Sequence, residues 1–204
     1  ANAAIASGAF AKEIVPVTVS GRKGDVLVDT DEQPGNAKPD KIPTLKPAFV
    51  KDGTITPANA SSISDGAAAL VMTRRSVAEK LGLPVVATVV ATAAHAHEPS
   101  KFSTAPVPAI RKLLAKAGWS VEDVDLFEVN EAFAVVAMIA ARDLNIPADK
   151  LNVNGGATAL GHPIGASGAR IMATLLAALE NRGLKRGVAS LCIGGGEATA
   201  IALE

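Results

Sequence analysis

The sequence predicts a layered α/β fold, helices packed over one sheet, and three observations carry that expectation. From Asp65 onward, short β-branched runs alternate with helical stretches, the pattern of a sheet with helices laid against it. Hydrophobic residues make up 49% of the 204 residues and charged ones only 20%, enough apolar material to build a core. The helical stretches also carry their own punctuation: Pro106 opens one and Gly118 lies just beyond its end.

Ala1 to Phe10 reads as a short helical segment. The chain opens inside it and without Met, so a piece of a longer protein is expected. IVPVTV and VLVDT flank the turn Ser20-Gly21-Arg22-Lys23-Gly24-Asp25 and predict a hairpin. Between Asp31 and Pro57, five prolines and many charges predict an ordered surface loop without regular structure. Long loops of this kind often cover a substrate.

Further along, AAALVM at 67–72 reads as a short buried strand and Ser76 to Leu81 as a helix closed by Gly82. VVATVVATAAHA at 85–96 is a long strand, Pro106 to Lys116 a helix and LFEV at 126–129 another strand. Glu131 to Leu144 is apolar nearly all round, which predicts a buried helix. Ala166 to Arg182 is the last helix, with Gly183 past its end. VASLCI and ATAIAL around Gly194-Gly195-Gly196 predict a closing antiparallel hairpin.

Composition narrows the function classes. Lys and Arg total 20 and Asp and Glu total 20, so no basic field is present to hold nucleic acid or an anionic membrane surface. Six aromatic residues are too few for a platform that stacks single strands. Mean hydropathy is +0.29, but every candidate span is broken or short: Pro84 interrupts 83–94, and 132–141 is only ten residues. The single cysteine, Cys192, excludes an internal disulfide framework and a four-thiolate zinc site, and fits a reducing compartment. Ala1 to Phe10 lacks the basic start and apolar run of a signal peptide.

Three polar features stand where an apolar element meets a tight loop. Asn130, in Val129-Asn130-Glu131-Ala132-Phe133, is placed to cap the buried helix, or else to offer a rigid amide to a ligand or a bound water. Asn152-Val153-Asn154-Gly155-Gly156, running on to Gly161-His162-Pro163-Ile164-Gly165-Ala166-Ser167-Gly168, is glycine-rich enough for close backbone approach to a ligand. It has neither the G-x-G-x-x-G spacing nor the lysine of a phosphate loop. His162 is held there by a backbone with little freedom, as a base or as a structural imidazole. Cys192, before Gly194-Gly195-Gly196, is either an inert core residue or a thiol ringed by glycine N–H groups. A base, a sulfur and an amide are the parts of acyl-transfer chemistry. His95 and His97 share a strand face, but Glu98 falls on the other, so no metal site is expected.

At these motifs the sequence resembles the thiolases, the acyl-CoA C-acetyltransferases. VNEAFA at 129–134, NVNGGATALGHPIGASGARI at 152–171 and CIGGG at 192–196 stand in the family's order and spacing. AFVKDGTITPANASSISDGAAALVM at 48–72 fits as well. The resemblance implies a thiolase-like αβαβα layered fold, of which this chain holds the C-terminal half of the duplicated core (65–204) and the end of the loop domain that covers coenzyme A (1–64). It implies that the N-terminal half, with the cysteine that carries the acetyl group, is absent, and is a partner this chain needs.

By the same resemblance His162 takes a proton from that missing thiol, which attacks a 3-ketoacyl thioester. Cys192 gives a proton to the departing acetyl-CoA enolate or removes one in the synthetic direction. Asn130 anchors a water that forms an oxyanion hole with His162, and the Gly194 N–H joins a second hole. Ser61, Phe49 and Leu45 match positions along the coenzyme A path; Phe133, Ala132 and Phe102 match the acyl pocket. No cofactor is implied beyond coenzyme A as substrate and product. Phe102 stands where bacterial biosynthetic relatives commonly carry Met, which favours a short-chain, acetoacetyl-like substrate. Pro34-Gly35 stands near where some relatives place an arginine by the nucleotide.

The resemblance also implies a homodimer or homotetramer in the cytoplasm, or in the mitochondrial matrix of a eukaryote, with no nucleic acid or membrane partner. Alternatives are a medium- or long-chain 3-ketoacyl-CoA thiolase, a non-catalytic acyl-CoA or lipid-binding module, and, from the glycine-rich loop alone, a nucleotide-binding domain.

Overall fold

The computed structural model describes residues 1–204. A short helix, α1 (Asn2–Ala6), precedes the expected hairpin of β1 (Val17–Gly21) and β2 (Gly24–Val28). Its register pairs Val17 with Val28 and Val19 with Val26. The segment that follows is not wholly irregular. Prolines open two 3₁₀ turns, Pro34–Asn36 and Pro39–Thr44, because the fixed proline φ suits a first helical position.

The main sheet has four strands in the order β3 (Val89–Ala96), β6 (Glu197–Leu203), β5 (Gly187–Ile193), β4 (Leu126–Val129). β5 and β6 form the predicted antiparallel hairpin, and β4 runs parallel to β5, so both end at the same edge of the sheet. Between the strands lie α2 (Arg75–Leu81), α3 (Pro106–Ala117), α4 (Ala134–Leu144), α5 (Ala157–Leu160) and α6 (Ser167–Arg182). Gly118 and Gly183 close α3 and α6 in the left-handed conformation that glycine adopts at least cost.

Side-chain alternation divides the core into two layers. Phe127, Val129, Val188 and Cys192 pack toward α3 and α4 with Ile110, Leu113 and Val136. Leu126, Ala189 and Leu203 face the other way, onto Ile171, Leu175 and Ala178 of α6. The sheet is therefore covered on both faces, as the layered expectation requires.

Three expectations fail locally. AAALVM at 67–72 forms no strand, and Val71 is 96% exposed. An apolar run records that a segment needs a partner without specifying which, and the four-stranded sheet leaves it unpaired. The buried helix begins at Ala134 rather than Glu131, because residues 131–133 are drawn out along Asn59–Ser61: the Ser61 N–H donates to the Ala132 carbonyl and the Ala134 N–H to the Asn59 carbonyl. Asn130 is therefore not its cap. Nor is α4 buried all round, since Met138 stands 66% exposed.

Candidate active site

Asn130 extends from β4 at the edge where β5 also ends, its N–H bonded to the Ser190 carbonyl at 2.9 Å. Ligands of α/β sheets gather outside such carboxyl ends. The peptide side of Asn130 thus belongs to the sheet, while its carboxamide turns toward the α6 layer and is 1% exposed.

His162 sits in the loop between α5 and α6. Two constraints fix that loop. Gly161 has φ +96°, and a Cβ there would run into the Ser64 hydroxyl. The His162 N–H donates to the Ser62 carbonyl at 3.2 Å. The imidazole is then pinned from both nitrogens. Ser167, wholly buried at the start of α6, donates its one proton to the Pro163 carbonyl at 3.0 Å. It must therefore accept from His162 Nδ1–H, 2.6 Å away. Nε2 keeps its lone pair and lies 3.3 Å from Asn130 Nδ2, an N–H donor. Burial, and after it the Arg170 cation, holds the imidazole below its ordinary range. The site thus contains a neutral histidine whose Nε2 is an acceptor, its lone pair shared with the Asn130 amide until a proton arrives.

Cys192 lies at the end of β5 in the opposite layer, inside the apolar cluster against which Phe102, Ala132 and Phe133 pack. Burial pushes its thiol up, with its backbone N–H pulling the other way, so the group is a protonated thiol at neutral pH. Gly194 follows in the turn to β6, and a Cβ there would meet nothing within 4 Å.

The residues expected to bind substrate divide in two. Phe133 stands between Phe49, at 6.4 Å between ring centroids, and Phe102, at 5.9 Å. Ser61 hydrogen-bonds the Ala132 carbonyl through its hydroxyl at 2.9 Å. Five of the six are thereby brought to one place, and the stretch 59–64 joins that place to His162. Leu45 is set apart, half-buried at the end of the second 3₁₀ turn. A cavity of about 490 Å³ between α6 and the sheet, lined by Ala94, Ile171, Met172 and Leu191 among others, holds none of the expected site residues.

Four participants are given no role by the sequence reading: Ser167, Arg170 and Glu131, which lie inside its motifs, and Glu128. Arg170 Nη2 donates to Asn130 Oδ1 at 3.5 Å, and its Nη1 lies 3.9 Å from Glu128 Oε2. Burial pushes Glu128 up to about 8, with Arg170 opposing and Glu13 and Glu131 adding to the rise. Glu131 accepts from Asn152 Nδ2 at 2.9 Å and from the Thr158 N–H at 3.1 Å, tying the Asn130 loop to the start of α5. The period-two alternation of LFEV places Glu128 and Asn130 on one face, and the motifs at 129–134 and 152–171 contain the other three. His95 and His97 stack edge to face at 5.0 Å; Lys112 Nζ donates to His95 Nδ1 at 3.0 Å, and His97 bonds the Lys101 carbonyl.

The family model for the thiolase C-terminal domain matches residues 83–204, and that for the thiolase N-terminal domain matches residues 1–76. The second match corrects the expectation that the N-terminal half is absent: part of that domain is in the chain.

An acetyl-CoA acetyltransferase of Syntrophomonas wolfei is 50% identical over 203 residues, 98% of this chain and 51% of that protein. The crystal structure of the Bacillus anthracis acetyl-CoA acetyltransferase superposes with a TM-score of 0.96 at 44% identity, covering 100% of this chain and 52% of that one. Human mitochondrial 3-ketoacyl-CoA thiolase gives 0.90 at 38% identity, again over 100% of this chain and 52% of that one. The chain spans about half the length of the curated relatives it matches. With the fold, the layered core and both domain models in agreement, the chain belongs to the thiolase family.

Proposed function

We propose that this chain supplies the acid–base half of an acyl-CoA C-acetyltransferase, which condenses two acetyl-CoA reversibly to acetoacetyl-CoA and CoA. The observation that carries the reading is the His162 arrangement: Nδ1–H locked on Ser167, Nε2 open and held beside Asn130. A second thiol carries the acyl group. Cys192 is the only cysteine in the 204 residues, so that thiol comes from outside them.

In the thiolytic direction His162 Nε2 takes the proton of that thiol, and the sulfur attacks the 3-keto carbon. The bond between C2 and C3 then breaks, and its electron pair leaves on C2 as the acetyl-CoA enolate. Cys192 donates its proton to C2. Coenzyme A thiol then gives its proton to the Cys192 thiolate and attacks the acyl thioester; the shortened acyl-CoA leaves, and the released enzyme thiolate recovers its proton from His162. A thiol held protonated suits a donor better than a thiolate would, and Asn130 with His162 stabilises the enolate oxygen through a bound water. The Gly194 N–H serves the oxyanion of the acyl-transfer step.

The Phe49–Phe133–Phe102 group lines the path for pantetheine and acyl chain, with Ser61 beside it. Phe102, packed on Phe133 where a flexible thioether commonly stands in bacterial biosynthetic relatives, favours acetoacetyl over longer chains. A 3-ketoacyl-CoA thiolase of longer chain range is the competing reading, because the human relative shares the fold. Residues 1–64 act as the coenzyme A cover and 65–204 as the catalytic layer. The full-length protein works as a homodimer or homotetramer in the cytoplasm, without metal or prosthetic group.

The test is thiolysis of acetoacetyl-CoA by the full-length protein against its His162→Ala and Cys192→Ala variants. Each is expected to lose roughly 10²–10⁴-fold in kcat. Full activity in either variant, with the fold retained, overturns the assignment.

A further inference from the structure

We propose that Arg170 is a positioning residue for this acyl-transfer site: its guanidinium holds the Asn130 carboxamide in the one orientation that offers an N–H to His162 Nε2. The inference rests on the thiolase reading above and adds a residue to it.

An asparagine side chain is nearly symmetric in shape, so a buried one needs an electrostatic reason to face one way. Asn130 is 1% exposed and has two polar neighbours of opposite demand. On one side lies the lone pair of His162 Nε2 at 3.3 Å, which accepts; on the other lies Arg170 Nη2 at 3.5 Å, which donates. A flipped amide would set its oxygen against the lone pair and its NH₂ against the guanidinium, losing both hydrogen bonds. Arg170 alone can enforce the choice on the oxygen side, because it carries a full charge that has no acceptor role.

The arginine is itself fixed. It occupies the first turn of α6, its N–H bonded to the Ala166 carbonyl at 2.9 Å, three residues after the serine that fixes the imidazole proton. Nη2 reaches Asn130, while Nη1, buried and without a hydrogen-bond partner, lies 3.9 Å from Glu128 of β4; a single ammonium does not reproduce that planar placement. Glu13 and Asp31 face it from the N-terminal segment, and His162 from the preceding loop. With Glu128 largely protonated near neutral pH, the guanidinium is not cancelled by its nearest carboxyl, and its charge reaches the imidazole. One helical turn therefore sets both the tautomer of the base, through Ser167, and the amide beside it, through Arg170.

The experiment is the pH dependence of diethylpyrocarbonate labelling of each histidine, read by mass spectrometry on the full-length protein, its Arg170→Met variant and its Arg170→Lys variant. The reagent reports the free imidazole nitrogen and needs no catalytic turnover. In Arg170→Met the labelling midpoint of His162 is expected to move up, while a circular dichroism spectrum matching wild type shows that the fold persists. In Arg170→Lys the charge remains, so the midpoint holds, but His162 labels faster because Nε2 loses its amide partner. In thiolysis assays the lysine variant is expected to lose roughly tenfold in kcat with KM unchanged. A His162 profile identical in all three proteins overturns the proposal, as does a lysine variant that changes KM alone. Should arginine-to-methionine unfold the protein, the lysine arm decides. A wild-type protein without thiolysis activity would sink the functional reading and leave the labelling result to judge Arg170 by itself.

Discussion

Ser167 and His162 stand five residues apart and 2.6 Å from each other, and the direction of that hydrogen bond is fixed by a third atom. Because the serine proton is committed to the Pro163 carbonyl, the imidazole must carry its own on Nδ1. Ser167→Ala removes the acceptor and lets the ring choose either tautomer or rotate. Thiolysis in the full-length protein is expected to fall about ten- to a hundredfold in kcat, with KM nearly unchanged. An alanine variant with wild-type kcat would show that the tautomer is fixed by something else.

Cys192 is predicted to be a slow nucleophile. Burial favours the neutral thiol, and no lysine or arginine bonds to it. Iodoacetamide labelling of this sulfur is expected to be weak at neutral pH and to rise only at pH values above the ordinary thiol range. Rapid alkylation at pH 7 would contradict the proton-donor role.

Gly161 and Gly194 make a contrasting pair. Gly161 has φ +96° and ψ 166°, a region nearly closed to other residues, and Ser64 fills the space of its missing Cβ. Gly161→Ala is expected to destabilise the protein by about 1–3 kcal/mol from backbone strain alone. Gly194 faces open space, so Gly194→Ala should leave the thermal midpoint in place while lowering activity if its N–H meets substrate. Thermal scans beside thiolysis assays separate the two.

Glu128 sets a pH window for stability. Its folded value, about 8, lies above the 4.5 of a free carboxyl, so the folded state binds an extra proton between those limits. The stability it contributes is fully present below pH 4.5 and is lost as pH rises through 8. Glu128→Gln copies the protonated form and is expected to gain stability over wild type as pH rises, with little difference at pH 4.5. Urea midpoints at pH 5 and pH 8.5 test it; a constant offset would count against the assignment.

Much of the architecture could be read ahead of the structure, and the misses share a cause. The β5–β6 hairpin, the hairpin at β1–β2, and α3 and α6 with their glycine ends all follow from local periodicity and turn chemistry. What failed depended on neighbours distant in sequence. The start of α4 is displaced by Asn59–Ser61, some seventy residues earlier, and no pattern near Asn130 announces that pairing. AAALVM lacks the partner its composition asks for. The candidate site divides the same way: His162 stands out as a polar group in a glycine-rich turn, and Cys192 and Asn130 as polar groups where apolar strands end. Ser167 and Arg170 lie inside the motif at 152–171, but their part follows only from the loop that brings His162 back over the first turn of α6.

The stretch 59–64 fastens at both ends of the site. Its Asn59 carbonyl receives the Ala134 N–H, Ser61 bonds the Ala132 carbonyl, and the Ser62 carbonyl receives the N–H of His162. Any movement that lifts this ribbon away from the phenylalanines also tugs on the backbone of the base. The phenylalanine group and the imidazole thus hang from one strap, and a displacement of either is felt by the other.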